Sequence, residues 1–97
     1  MFVQMIEMTT TKIADVEAIM NEWMSVTEGH RSAKRSLLTK DRERPDTYVQ
    51  VVEFPSYEEA MANSALPETA ALSGKLAALC DSGPTFRNLD AVRVDDL

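Results

Sequence analysis

The sequence predicts one α+β domain with the element order β-α-β-β-α-β, and three features carry that prediction. The run Thr47-Tyr-Val-Gln-Val-Val-Glu-Phe54 is a β-type apolar stretch that stops at Pro55. Immediately behind it a helix starts at Ser56-Tyr-Glu-Glu59 and is interrupted and restarted at Pro67. Ahead of it, Ile13, Val16, Ile19, Met20, Trp23, Met24 and Thr27 recur at three- and four-residue spacing, which is one helical face.

Taken in order, Phe2 to Met8 reads as the first strand, apolar in both alternation phases. Thr9, Thr10 and Thr11 offer N-cap hydroxyls to the first helix, and Asp15 and Glu17 near its start suit the helix dipole. That helix runs from Lys12 to about Glu28 and is closed by Gly29, which can take the left-handed conformation of a C′ residue. The second strand, Ala33 to Lys40, is weakly marked, with Leu37 and Leu38 as its only large apolar residues. The polar turn Asp41 to Asp46 joins it to Tyr48–Phe54 as an antiparallel hairpin.

Ser56-x-x-Glu59 is a capping box, in which the serine oxygen and the glutamate carboxylate each satisfy a free backbone donor. Pro67 breaks the helix near Ser64 to Leu66 and then sits in the first turn of a second segment carrying Leu72, Leu76, Leu79 and Cys80. Asp81-Ser-Gly-Pro84 ends that segment. The last strand is expected over Phe86 to Val94, with Asp95 and Asp96 as a solvated tail. Two right-handed crossovers around a hairpin fit a four-stranded antiparallel sheet in the order 4-1-3-2 with the helices on one face, the ferredoxin-like plait.

Composition bounds the function. At 97 residues the chain is one domain over residues 1–97, with 44% hydrophobic and 27% charged residues. A net charge of −6 argues against a nucleic-acid module or a membrane-surface binder. Cys80 is the only cysteine, so there is no internal disulfide and no cysteine-based zinc site, which fits a reducing, cytoplasmic location. The apolar run Met1 to Met8 is too short for a membrane span, has no basic flank and contains Glu7.

The helices can cover only one face of the sheet. Val49 and Val51 are nevertheless opposite in phase to Val52 and Phe54, and the first strand is apolar on both sides as well. An uncovered apolar face of that kind implies a second copy packed sheet to sheet about a twofold axis, hence a homodimer.

Chemical groups are sparse. His30, the only histidine, lies just past Gly29 at a helix C-terminus, where an imidazolium interacts well with the dipole; a role at a pocket rim is the alternative. Gln4, Glu7, Gln50, Glu53, Arg87, Asn88, Asp90 and Arg93 are polar residues in expected strands. Pairs such as Glu53 with Arg87 or Arg93 can be sheet or dimer salt bridges, or a few of these groups can converge between sheet and helices and orient a ligand. Trp23 and the six methionines, Met20 among them, serve equally as core or as an adaptable lining for a flat apolar ligand. Arg31, Lys34, Arg35, Lys40, Arg42 and Arg44 concentrate basic charge around the second strand, where edge protection and an anion groove are the two readings. There is no glycine-rich phosphate loop, metal-ligand spacing, nucleophile elbow or dinucleotide fingerprint, so no metal or cofactor is expected.

Val51-Val-Glu-Phe-Pro-Ser-Tyr-Glu-Glu-Ala60, followed by Asn63-Ser-Ala-Leu-Pro-Glu-Thr69, resembles the dimeric α+β barrel proteins of the antibiotic biosynthesis monooxygenase superfamily, most nearly an uncharacterised actinobacterial branch. The resemblance implies a ligand pocket between the sheet and the helices of each subunit, and cofactor-free oxygenation of a small aromatic or quinol-type molecule. The alternative is a non-catalytic homodimer that binds a small ligand or builds an assembly. Carried onto this chain, it makes Arg87, Asn63 and Gln50 candidates for the chemistry and Trp23, Phe54, Met20 and Tyr57 candidates for the pocket. Phe54 stands where many members carry tryptophan, and Asn63 stands where a histidine is frequent, which disfavours haem degradation.

Overall fold

The computed structural model describes residues 1–97. Its elements are β1 (Phe2–Thr9), α1 (Ile13–Val26), β2 (Arg35–Lys40), β3 (Thr47–Phe54), α2 (Tyr57–Ser64), α3 (Pro67–Leu79) and β4 (Ser82–Asp90). The sheet is antiparallel throughout in the order β2-β3-β1-β4, which is the expected 4-1-3-2 order taken from its other edge. This is the ferredoxin-like α+β plait.

The helix boundaries follow their signals. Ser56 Oγ accepts the Glu59 backbone N–H at 3.2 Å, and α2 stops at Ser64 where Pro67 cannot continue it. Pro67 opens α3, its missing N–H costing nothing in a first turn. α1 ends at Val26 with Thr27 as its C-cap, short of the expected Glu28, and Gly29 turns the chain just beyond it with φ of 86°, the left-handed conformation that glycine tolerates. The threonines before α1 act differently from simple caps. Thr10 Oγ1 accepts the Lys12 N–H at 3.0 Å and donates to the Leu79 carbonyl at 2.7 Å. It thereby ties the entry of α1 to the end of α3.

The hairpin turn is held by Asp41, whose Oδ1 accepts the N–H groups of Glu43 and Arg44 while Oδ2 accepts from Arg44 Nε at 3.1 Å. Its carboxyl is held below the ordinary range, first by the Glu43 N–H and then by the Arg44 guanidinium.

The last strand corrects the expected boundaries. It starts at Ser82 and ends at Asp90, not Phe86 to Val94. Gly83 and Pro84 read as terminators, yet β4 is an edge strand whose outer side needs no proline donor. Gly83 has φ of 84° beside a register shift between Glu7 and Thr9, and an added Cβ there would lie 2.8 Å from the Glu7 carbonyl oxygen. The shift leaves Val92 and Val94 outside the sheet and exposed. Both β2 and β3 are otherwise as expected, except that β2 begins at Arg35 and not Ala33.

Register divides the side chains cleanly between two faces. Phe2, Ile6, Met8, Tyr48, Val52 and Phe54 face the helices and form the core with Val16, Ala60 and Leu76. On the opposite face, register places Leu37, Val51, Met5 and Arg87 in one row, and Arg35, Glu53, Val3 and Leu89 in the next. No element of the chain covers that second face.

Candidate functional site

Sheet and helices do not close on each other completely. Between them lies an open cavity of about 470 Å³, large enough for a small aromatic molecule. Its floor is the helix-facing register of the sheet: Gln4 and Ile6 from β1, Gln50, Val52 and Phe54 from β3, Ser36 and Leu38 from β2, and Phe86 from β4. Its roof is Glu17, Met20, Asn21, Trp23 and Met24 of α1 with Thr69, Leu72, Ser73 and Leu76 of α3. Asn63 and Ser64 of α2 and Ala33 close one end.

The polar groups in this lining are mostly amides and hydroxyls. Gln4 Nε2 donates to Asn88 Oδ1 at 3.2 Å, and Gln50 Nε2 donates to Ser36 Oγ at 2.9 Å. Both glutamines are thus oriented by a neighbouring strand. Trp23 Nε1 donates to Thr69 Oγ1 at 2.9 Å, so the indole is pinned across the two roof helices. Its ring also meets the Arg31 guanidinium, 5.8 Å from the ring centroid, and that arginine is fixed by the Met24 carbonyl at 2.7 Å. Asn63 is 6% exposed; its Oδ1 accepts the Ser32 N–H at 3.4 Å, and its Nδ2 has no protein partner. A buried amide with a spare donor at a cavity wall is a preformed hydrogen-bond site.

Glu17 is the only ionisable side chain in the lining, and it is exposed. No lysine, arginine, histidine or cysteine reaches the cavity. No group of three His, Cys, Asp or Glu side chains is placed to hold a metal ion. No helix is long and apolar enough to cross a membrane.

Of the residues singled out from the sequence, Gln50, Asn63, Trp23, Phe54 and Met20 meet at this cavity. Two candidates do not. Arg87 pairs with Met5 in the register of the other sheet face, because the cavity takes only the alternate phase of β4 through Phe86. Tyr57 opens α2 beyond the cavity end and packs edge-on against Phe2, ring centroids 5.5 Å apart. Arg93, the other proposed cation, lies in the C-terminal tail and pairs with Asp95 at 2.8 Å. His30 lies 3.3 Å from Glu68, a surface pair between the end of α1 and the start of α3. Gln4, one of the strand polar residues expected to converge between sheet and helices, does reach the cavity. Sequence reasoning gave no site role to Thr69, Ser73, Ser36 or Glu17, the last being read only as a helix-dipole acid.

No protein-family model matches the sequence, and no curated protein does. Solved structures do match over nearly the full length. A crystal structure described as an antibiotic biosynthesis monooxygenase superposes with a TM-score of 0.75 at 19% identity, covering 96% of this chain and all of the other. SnoaB from Streptomyces nogalater, described as a cofactor-independent oxygenase, gives 0.79 at 16% identity, with 96% of this chain and 94% of that chain covered. A conserved protein from Methanosarcina mazei Go1 gives 0.78 at 8% identity, with 91% and 89% covered. The chain therefore has the fold of the antibiotic biosynthesis monooxygenase structures.

Proposed function

We propose that this protein is a cofactor-independent monooxygenase-like homodimer acting on a small aromatic or quinol-type molecule held between sheet and helices. The observation that carries the reading is the cavity itself: aromatic and methionine walls, oriented amides, and the spare Asn63 donor. The fold shared with SnoaB, described as a cofactor-independent oxygenase, is consistent with it.

The chemistry needs little from the protein. A phenol or hydroquinone loses a proton, and its anion passes one electron to O₂. The resulting radical and superoxide combine at a ring C–H carbon, and the peroxide anion takes back the proton to give a hydroperoxide. Loss of water from that CH–OOH then converts the ring C–H to C=O, so one oxygen atom enters the product and the other leaves as water. The protein's part is to desolvate the anion and hold it flat, which raises its reducing power relative to water. Arg87 and Arg93 do not line the cavity, so the role falls to Asn63 Nδ2 and the hydroxyls of Thr69 and Ser36. Glu17 at the mouth is the one lining group able to relay the proton to solvent.

The lack of any cationic or histidine side chain in the cavity favours a second reading, a dimer that binds an aromatic ligand without turning it over. Trp23 is the only tryptophan and lines the cavity, so its fluorescence reports occupancy under either reading. Titration with 1,4-naphthoquinone tests binding, and oxygen uptake with the reduced form tests turnover. Saturable quenching with no uptake above background selects the binding protein; no quenching rejects the site.

The dimer forms through the uncovered sheet face. Val3, Met5, Val49 and Val51 are half-buried there, and Leu37 and Leu89 are 38% and 42% exposed. A contiguous apolar patch of this kind is stable in water only when covered, and its self-complementary centre suits a twofold partner.

A further inference from the structure

After α1 the chain turns back on the helix it has just left. Gly29 takes its left-handed φ of 86°, and the Arg31 N–H donates to the Thr27 carbonyl at 3.1 Å. The Arg31 side chain then folds over the last turns of α1. Its Nη1 donates to the Met24 carbonyl at 2.7 Å and to Thr27 Oγ1 at 3.4 Å, and its guanidinium lies over the Trp23 ring, 5.8 Å from the centroid. Thr27 is fully buried and donates its hydroxyl to the Trp23 carbonyl at 2.6 Å. Trp23, Thr27 and Arg31, spaced four residues apart, are therefore tied into one unit.

Helix capping accounts for part of this. A cation suits the negative end of the dipole, and the bond to the Met24 carbonyl fulfils that role. Capping does not require the guanidinium to lie over an indole, nor that indole to line a cavity. Arg31 is also half-buried and has no carboxylate partner, since the ion pairs of the chain use His30, Arg35, Arg44, Lys75 and Arg93. Its charge is left to act on what lies across the ring.

We propose that Arg31 tunes the cavity toward a phenolate: its guanidinium, held over Trp23, favours the anionic form of a phenol stacked on the indole over the neutral form. This role rests on the aromatic-ligand site proposed above and narrows its ligand to phenols that bind as anions. Trp23 lines the cavity and Arg31 does not, so the charge acts at one ring's remove. A flat ligand in contact with the other side of the indole, about 3.5–4 Å away, lies on the order of 9–10 Å from the guanidinium. At that distance a partly screened unit charge moves a pKa by about half a unit to one unit. The phenol O–H bond breaks, its electron pair stays on oxygen, and the proton leaves to solvent by way of Glu17. Among the charges nearby, Glu17 in the lining disfavours an anion, Glu28 is exposed, and His30 and Glu68 face each other at 3.3 Å. With no cation in the lining, Arg31 supplies the charge that offsets Glu17.

Spectrophotometric pH titration of 4-nitro-1-naphthol, whose phenolate absorbs in the visible, tests this with the parent, Arg31→Gln and Arg31→Lys. Glutamine keeps a donor for the Met24 carbonyl without the charge, and lysine keeps the charge. Circular dichroism checks that each variant is folded. The bound probe should titrate about half a unit to one unit higher in Arg31→Gln than in the parent, with most of the difference recovered in Arg31→Lys. Affinity for the phenolate should fall about three- to tenfold in Arg31→Gln, while affinity for 1-nitronaphthalene, which has no hydroxyl, stays as in the parent. A purely structural Arg31 would weaken both probes alike and leave the bound pKa in place; that result overturns the proposal and leaves the cavity site standing. Failure of the parent to bind either probe overturns the aromatic-ligand reading, and the role of Arg31 with it.

Discussion

The indole of Trp23 in α1 donates its Nε1–H to Thr69 Oγ1 in α3 at 2.9 Å, so a hydrogen bond at the cavity itself joins the two helices that roof it. Both residues line the cavity, and neither helix contributes more than one fully buried side chain, Val16 in α1 and Leu76 in α3. Glu22–Lys75 at 3.2 Å and His30–Glu68 at 3.3 Å also bridge this helix pair, but on the outer surface, so the Trp23–Thr69 bond is the one that lies at the cavity. Replacing Thr69 by valine leaves the half-buried indole donor without its acceptor while keeping the volume. Urea unfolding should show a loss of about 1–2 kcal/mol, with Thr69→Ser close to the parent. Equal stability of all three would mean that the bond contributes nothing to the roof.

Asn63 does two jobs with one amide. Its Oδ1 holds the Ser32 N–H, and its Nδ2 has no protein partner in a residue that lines the cavity. Asn63→Ala should cost about 1 kcal/mol of stability through Ser32 and, separately, about tenfold in affinity for a carbonyl-bearing aromatic ligand. The two losses are read from urea unfolding and from Trp23 quenching by 1,4-naphthoquinone. An unchanged dissociation constant would remove Asn63 from the ligand site.

Arg44 bridges Asp41 and Glu7, at 3.1 Å and 3.0 Å, linking the β2–β3 turn to β1. Because the Asp41 carboxyl titrates below its ordinary value in the folded chain, its contribution is present above about pH 4, the unfolded value, and fades as pH falls through the lower folded value. Thermal unfolding should thus fall less steeply with acid in Asp41→Asn than in the parent. Parallel pH profiles for the two proteins would contradict this assignment.

The outer sheet face supplies a prediction about assembly. Val51 lies in the central row between Leu37 and Met5, with no charge beside it on either neighbouring strand. An aspartate there places an unpaired charge inside the proposed dimer layer, at a cost of about 3 kcal/mol or more. Val51→Asp should raise the dimer dissociation constant more than a hundredfold by sedimentation while leaving the monomer's circular dichroism intact. Undiminished association would place the interface elsewhere.

Much of the fold was legible because the governing signals are local. The serine cap at Ser56, the proline restart at Pro67 and the left-handed glycine at position 29 each act within a turn of chain and are found where the sequence put them, although the Glu59 carboxylate half of the expected capping box does not form. The end of the chain was not legible in that way. Phe86 to Val94 has strand-like composition throughout, but pairing with β1 is fixed by register from Phe2, and β1 has no residues left to pair beyond Asp90. Gly83 and Pro84, local terminators elsewhere, are accommodated by a bulge at an edge. The site divides similarly. Gln50, Phe54 and Asn63 were accessible as polar or aromatic residues in a known phase of β3 and α2. Arg87 was placed on the wrong side because phase in β4 depends on where that shifted register begins. Thr69 and Ser73 carry no signal in a helix of mixed alanine and serine, and only the roof geometry gives them a role.

The central claim is that the cavity between sheet and helices is where an aromatic substrate meets oxygen. Oxygen uptake with 1,4-naphthohydroquinone tests it most directly, using the parent, Ser73→Phe, which fills the exposed mouth of the cavity, and Arg87→Ala on the opposite face. Uptake above the uncatalysed rate is expected in the parent, at least tenfold less in Ser73→Phe, and parent-like uptake in Arg87→Ala once dimer content is matched. Uptake at the background rate in the parent, or activity indifferent to Ser73→Phe and lost with Arg87→Ala, would contradict it.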